Sequence, residues 1–333
     1  MRTRLLALLV LPLVGCASAT PPAGVEARID AILAEYAAAG APGASVLVRH
    51  DGRIVVAKGI GLADLENRTA ATATTNYRLA SVTKQFTAMA ILILADEGKL
   101  SLGDSIGRWL GDLPSWGEGV TIRHLLTHTS GIVDYEDLIA KDATRQVLDR
   151  DVLDLLAAQN DRYFAPGTSY RYSNSGYALL ALIVERASGM PFQDVLRQRI
   201  FAPVGMRATL AYLQDGPPVE QRAFGHSRSG DGWVRDDQSI TSAVLGDGGI
   251  YSSVRDLAAW DAELDRPTLI PARLLEEAFT PATATDVAGV SYGYGWRIGE
   301  LAGKRMLHHT GETRGFRNAL LRIPSERLTV VVL

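Results

Sequence analysis

The sequence predicts an α/β protein of the α+β type. One antiparallel sheet is built from both chain ends and flanked by helices, with a mostly helical region inserted between them. Three observations carry this reading. Strand-like runs appear early, Leu- and Ala-rich helical patterns fill the middle, and strand-like runs return near the end. A chain of 333 residues with 47% hydrophobic composition can bury one large core. The expected division is a single domain over 25–333, its sheet part at about 25–100 and 239–333 and its helical part at about 101–238.

The first segment reads as an address. Two arginines precede an apolar run from Leu5 to Val14, and Leu13-Val14-Gly15-Cys16 follows. That run is too short to span a bilayer and fits an export signal over 1–15. Its end resembles the bacterial lipoprotein box. The resemblance implies lipid on Cys16, a tether over 16–24, and a folded part facing the periplasm or cell exterior, with the outer membrane favoured. Cys16 is the sole cysteine, so no disulfide is expected.

Next, Val25, Ile29, Ile32, Leu33 and Tyr36 share one helical face, which predicts an amphipathic first helix. In "ASVLVRHDGRIVVAKG" two strands flank Asp51-Gly52, a strong hairpin signal. "YRLASVTKQFTAMAILILADEG" turns helical near Ser81, is apolar nearly all round from Phe86 to Ala95, and stops at Gly98. It reads as a buried central helix. "SGYALLALIVERASG" is a second helix ending at Gly189. "YGYGWRI", "RMLHHTG", "FRNALLRI" and "LTVVVL" read as strands, with a turn over Pro324–Arg327.

Lys84 is the anomaly, since a lysine in a greasy helix is costly to bury as a cation. It lies three residues after Ser81, on the same helical face. A serine in a first helical turn has a free N–H at the positive end of the helix dipole. The pattern therefore joins a hydroxyl, an amine and an oxyanion-stabilising donor. With 19 serines and 5 lysines, a Ser-x-x-Lys match by itself is within reach of chance, and a capping serine with a snorkelling lysine is the bland alternative.

Two further segments change the balance. "FAPGTSYRYSNSGYALL" places Tyr172-Ser173-Asn174 just before a helix, where Asn174 could equally cap it. "MLHHTGETRGF" places His309-Thr310-Gly311 on a late strand. Serine and lysine, then Tyr-x-Asn, then a basic residue with Thr-Gly resemble the signature of the serine β-lactamase and penicillin-binding-protein superfamily. "LSLGDSIGRWL", "TIRHLLTHTSGI", "GDGGIYSSVRDLAAW" and "YGYGW" extend the resemblance from about Ala41 to Leu333, toward class C β-lactamase-like serine hydrolases.

The resemblance implies a β-lactamase/transpeptidase-like fold and an acyl-enzyme on Ser81. Lys84 would activate the nucleophile, Tyr172 would shuttle the proton, and Asn174 would bind Lys84 and a substrate carbonyl. His309, Thr310, Gly311 and Glu312 would line the substrate, with the Ser81 and Glu312 N–H groups as oxyanion hole. Implied substrates are β-lactam-like compounds, D-amino-acid peptides or small esters. A β-lactamase proper and a non-catalytic, lipid-anchored binder of penicillins or cell-wall peptides stand as alternatives. His309 departs from the usual lysine, and either a partly charged ring or a neutral hydrogen-bonding one fits the sequence. Arg297, Arg314 and Arg317 are candidate anion anchors. Family members usually add a helix after the last strand, whereas the sequence ends in "LTVVVL".

Other chemistries are disfavoured. His124 and His128 are four apart, but no HExxH acid accompanies them, so no metal is expected. No Gly-x-Ser-x-Gly elbow and no nucleotide-binding fingerprint occurs, and no cofactor is expected. A net charge of −3 without basic runs argues against nucleic acid. A monomer is expected.

Overall fold

The computed structural model describes residues 24–333, so Cys16 and the export signal lie outside the described residues. Eight strands form the main sheet: β1 (Ala44–His50), β2 (Arg53–Ile60), β3 (Thr283–Ala284), β4 (Ser291–Tyr292), β5 (Arg297–Leu301), β6 (Lys304–Thr313), β7 (Phe316–Ile323) and β8 (Leu328–Val332). Their spatial order is β3-β4-β5-β6-β7-β8-β1-β2, all antiparallel. Both chain ends therefore contribute, because β8 pairs with β1 through Val46↔Val332 to His50↔Leu328.

The β1–β2 turn carries positive φ at Asp51 (50°) and Gly52 (77°), the pair that suits a tight two-residue hairpin. A short 3-10 turn, Pro324–Glu326, joins β7 to β8. "YGYGWRI" is not one strand: β4 ends at Tyr292, and Gly295 at φ 77° turns the chain before β5 begins at Arg297.

The N-terminal helix α1 (Val25–Ile32) is shorter than the apolar spacing predicts. A 3-10 turn over Ala34–Ala37 replaces its continuation, leaving Ile32 75% exposed and Tyr36 39% exposed. Only Val25, Ile29 and Leu33 reach the small apolar cluster around Val46 and Val56.

Helix α2 (Lys84–Asp96) is buried from Lys84 to Leu94, and α3 (Asn174–Ser188) from Ser175 to Val184. Gly98 and Gly189, at φ 68° and 71°, end these two helices. Between them lie short helices and loops, as expected. The later part of the insert departs from a helical reading. His226–Ser229 and Gly232–Arg235 form a hairpin, its turn supplied by Gly230 at φ 58°. Leu210–Ala211 and Tyr77–Arg78 flank Ile250–Ser252 in a small separate sheet.

Helix α4 (Val254–Asp265) is tied to the sheet by charge. Asp261 accepts hydrogen bonds from Arg49 on β1 (2.5 Å), Arg322 on β7 (2.6 Å) and Thr329 on β8 (2.7 Å), and Asp265 pairs with both arginines. Each charge has an opposite partner, which a buried ion requires.

Candidate active site

Ser81 is placed by the backbone on both sides of it. Leu79 N–H donates to Ile250 O, and the Arg78 carbonyl accepts from Asn318 Nδ2 on β7 at 2.8 Å. Ala80 then takes a left-handed conformation at φ 48°, uncommon and costly for a residue with a Cβ. A 3-10 turn over Ala80–Thr83 runs directly into α2. Ser81 thus lies in the first turn of a continuous helical segment, where N–H groups have no intrahelical acceptor.

Lys84 is fully buried, and its Nζ has three acceptors: Ser81 Oγ at 3.2 Å, Asn174 Oδ1 at 2.9 Å and the Asp247 carbonyl at 2.9 Å. Those acceptors come from three separate chain segments and match the three donors of an ammonium. The same nitrogen lies 4.9 Å from the Tyr172 ring centroid and 5.4 Å from that of Tyr177.

Ser173, rather than Asn174, caps α3: its Oγ accepts from Gly176 N–H at 3.2 Å. Asn174 opens the helix and is free to bridge, with Oδ1 on Lys84 and Nδ2 donating to Glu136 Oε1 at 3.3 Å. The Tyr172 hydroxyl is enclosed and meets no protein partner.

The ring packed against Tyr172 is that of His128, which the sequence offered only as one of an i, i+4 histidine pair. Its Nδ1 accepts from Ser173 N–H at 3.1 Å, its carbonyl accepts from Arg171 N–H, and its ring lies 4.3 Å from that of Tyr172. Burial, then Lys84 and His309, hold the His128 pKa well below its ordinary value. The other histidine of the i, i+4 pair, His124, accepts from Thr121 N–H and closes a capping box.

Strand β6 reaches the Ser81 turn at a free edge. Its pairing with β5 ends at His308, so beyond that point β7 borders one side and the Ala80–Thr83 turn the other. Gly311 permits the approach, because a Cβ there would lie 2.0 Å from the Leu79 carbonyl. Glu312 lines the cleft and its side chain pairs with Arg317 at 2.9 Å. Thr310 points to solvent and is absent from the cleft lining, whereas Thr313 is part of it.

His309 is 2% exposed. Its Nε2 lies 2.9 Å from the Tyr292 hydroxyl and its Nδ1 2.7 Å from the Thr310 carbonyl. A ring donating to the carbonyl through Nδ1 and accepting from Tyr292 through Nε2 is neutral. Burial first, and Lys84 next, push its pKa down to about 3. The neutral reading of His309 therefore applies, and its partner is Tyr292. Of the three arginines, Arg314 pairs with Asp236 and Arg317 with Glu312. Arg297 lies 5.6 Å from the Tyr172 ring centroid and has no carboxylate partner among the described residues.

The cleft at Ser81 is small, about 50 Å³, and is also lined by Tyr135, Glu136, Asn174 and Asp247. The Asp247 carboxylate accepts from Tyr135 Oη at 3.0 Å, and burial raises its pKa to about 7 against the opposing pull of Lys84. A larger cavity of about 350 Å³ lies between the 223–233 segment and Phe316, and contains none of Ser81, Lys84, Tyr172 or Asn174. The smaller cleft is the candidate site, because Ser81 lines it and Lys84 Nζ lies 3.2 Å from the serine hydroxyl. Sequence reasoning missed Tyr135, Glu136, Asp247 and Tyr292 as site residues. Asp247 and Tyr292 sit inside "GDGGIYSS" and "YGYGW", yet nothing in those strings says which side chain faces inward.

An antiparallel sheet with a Ser–Lys–Tyr cluster at its junction with a helical insert defines a class of proteins, and comparison bears this out. The Beta-lactamase family model matches residues 29–333, and the chain belongs to that family. A penicillin-binding protein of Bacillus subtilis is 32% identical over 87% of this chain and 67% of its own length. A D-aminopeptidase of Gluconobacter oxydans is 32% identical over 93% of this chain but 58% of its own, so the chain spans little more than half of that relative. Among solved structures, the octameric penicillin-binding protein homologue of Pyrococcus abyssi superposes with TM-score 0.82 at 29% identity, covering 92% of this chain and 72% of that one.

The neutral, buried His309 makes a prediction about acid stability. The unfolded ring takes a proton near 6.5, whereas the folded one resists until about 3. Between those values the unfolded state binds more protons, so stability falls as pH falls. His309→Asn should remove about one proton from that dependence, a slope change of about 1.4 kcal/mol per pH unit. Denaturant titrations from pH 7 to 4 measure it; identical slopes in the two proteins would contradict the neutral assignment.

Proposed function

We propose that this protein is a serine hydrolase that cleaves amide or ester bonds through an acyl-enzyme on Ser81. The observation that carries the proposal is the buried Lys84 Nζ, held simultaneously on Ser81 Oγ and Asn174 Oδ1. With one proton removed, Nζ keeps two N–H donors for Asn174 and Asp247 and turns a lone pair to the Ser81 hydroxyl. Ser81 Oγ then bonds to the carbonyl carbon as its proton passes to Lys84 or Tyr172. The tetrahedral oxyanion is taken by the Ser81 and Glu312 N–H groups, and the free edge of β6 beside the Ser81 turn supports that pairing. Tyr172 returns the proton to the leaving amine or alcohol, and water releases the acyl group by the reverse route.

The substrate classes are D-amino-acid peptides or amides and β-lactam-like compounds, which the relatives' names support, and small esters, which the same acyl-transfer chemistry admits. Arg297, on the face of Tyr172 without an acid partner, is the candidate anchor for an anionic group; His309, being neutral, is not. Ser81→Ala should abolish covalent labelling by a fluorophosphonate, read by intact mass. Ser173→Ala should keep the label and lose about 1 kcal/mol of stability as a missing cap. A label that persists on Ser81→Ala would refute the nucleophile.

We infer in addition that Cys16 carries lipid and anchors the protein to the cell envelope, facing the periplasm or exterior. Leu13-Val14-Gly15-Cys16 after an arginine-flanked apolar run supports this. Cys16→Ser should move the exported protein from the membrane to the soluble fraction. An unchanged membrane fraction would count against lipidation.

A further inference from the structure

The cavity of about 350 Å³ lies apart from the Ser81 cleft, and the two share no lining residue. It forms where the hairpin of His226–Ser229 and Gly232–Arg235 meets the turn between β6 and β7. Two glycines allow that meeting: a Cβ on Gly315 would lie 2.0 Å from the His226 nitrogen, and one on Gly225 would lie 2.8 Å from the Phe316 ring. Behind this contact the side chains of Tyr77, Phe224, Trp233 and Phe316 line the space. Its volume falls within the about 300–1,000 Å³ of small-molecule sites, and aromatic walls suit a flat apolar body.

Two polar side chains on the wall lack partners. His226 is 7% exposed, and its Nδ1 lies 2.8 Å from the Phe224 carbonyl, to which it can only donate. Nε2 is then the acceptor of the neutral ring, and it meets no donor among the described residues. A buried acceptor left open is costly unless something in the cavity donates to it. Arg228 faces Trp233 across the hairpin, with its guanidinium 4.2 Å from the ring centroid. It pairs with no carboxylate among the described residues, whereas Arg317, the other arginine on the wall, is held by Glu312 at 2.9 Å. Glu35 is the one acid on the wall, and it is exposed.

We propose that this cavity binds an aromatic acid that carries a hydrogen-bond donor. The rings of the ligand lie between Trp233 and Phe316, its N–H or O–H donates to His226 Nε2, and its anionic group meets the Arg228 guanidinium. The site uses none of Ser81, Lys84, Tyr172 or Asn174, so its occupancy does not depend on the acyl-enzyme chemistry.

The probes are anilinonaphthalene sulfonate, which joins two ring systems, one N–H and one sulfonate, and phenylnaphthylamine, the same molecule without the sulfonate. Each is titrated by fluorescence into Cys16→Ser, which has no thiol for a lipid that could take up the dye. Arg228→Met keeps a stem over Trp233 and removes the charge. It should weaken binding of the sulfonate about three- to tenfold, the worth of one partly exposed charge-assisted contact, and leave the neutral amine unchanged. His226→Phe keeps a ring and removes the acceptor, and should weaken both probes about three- to tenfold. Ser81→Ala, and phosphonylation of Ser81, should leave both affinities as they were. Arg228 is exposed, so Arg228→Met decides the matter even where His226→Phe fails to fold. Affinities that Arg228→Met leaves unchanged would mean adventitious adsorption of dye only, and a probe displaced by phosphonylation would place it in the Ser81 cleft. Either result overturns the proposal.

Discussion

Everything at the site depends on burying one lysine. Lys84 is fully enclosed, and an ammonium in that position is tolerable only if each donor finds an acceptor. The three acceptors belong to the Ser81 turn, the start of α3 and the Leu245–Gly248 segment. Satisfying Lys84 therefore fixes the helical insert against the sheet side of the molecule. Ser81 and Asn174 are positioned by the same requirement, since both are among the acceptors.

Close approach then does the rest. Gly311 lets β6 run against the Leu79 carbonyl, and Gly295 lets the β4–β5 turn sit on the Lys84 carbonyl, where a Cβ would be 2.7 Å away. Ala80 holds a left-handed backbone immediately before Ser81 and His128 does so beneath Tyr172, at φ 48° and 58°. Such conformations persist where the surroundings over-determine them, and they cluster at functional sites. The surroundings here are the hydrogen bonds of Leu79, Arg171 and Ser173.

The sheet, its closure by both chain ends, and the two central helices were legible because period-two and period-3.6 patterns and their glycine stops are local signals. Ser81, Lys84, Tyr172 and Asn174 were legible as motif positions, and the structure brings Lys84 to the other three. What escaped was set by long-range packing. The charge of His309 depends on Tyr292 and on its burial, the cap of α3 proved to be Ser173, and Glu136 reaches the site only because the 131–138 loop folds over Asn174. The N-terminal helix misled for a related reason: its apolar spacing continues past Ile32, but the chain turns toward β1 before that face can be buried.

The central claim is that Lys84 activates Ser81 rather than merely filling the core. Lys84→Met keeps a flexible apolar stem in the same cavity and removes only the amine. Its rate of Ser81 phosphonylation, followed by stopped flow against the wild type, tests the claim most directly. The account predicts a fall of about a hundred- to ten-thousandfold, the worth of a positioned general base, in a protein that still unfolds cooperatively. A folded Lys84→Met protein that labels at the wild-type rate would contradict it.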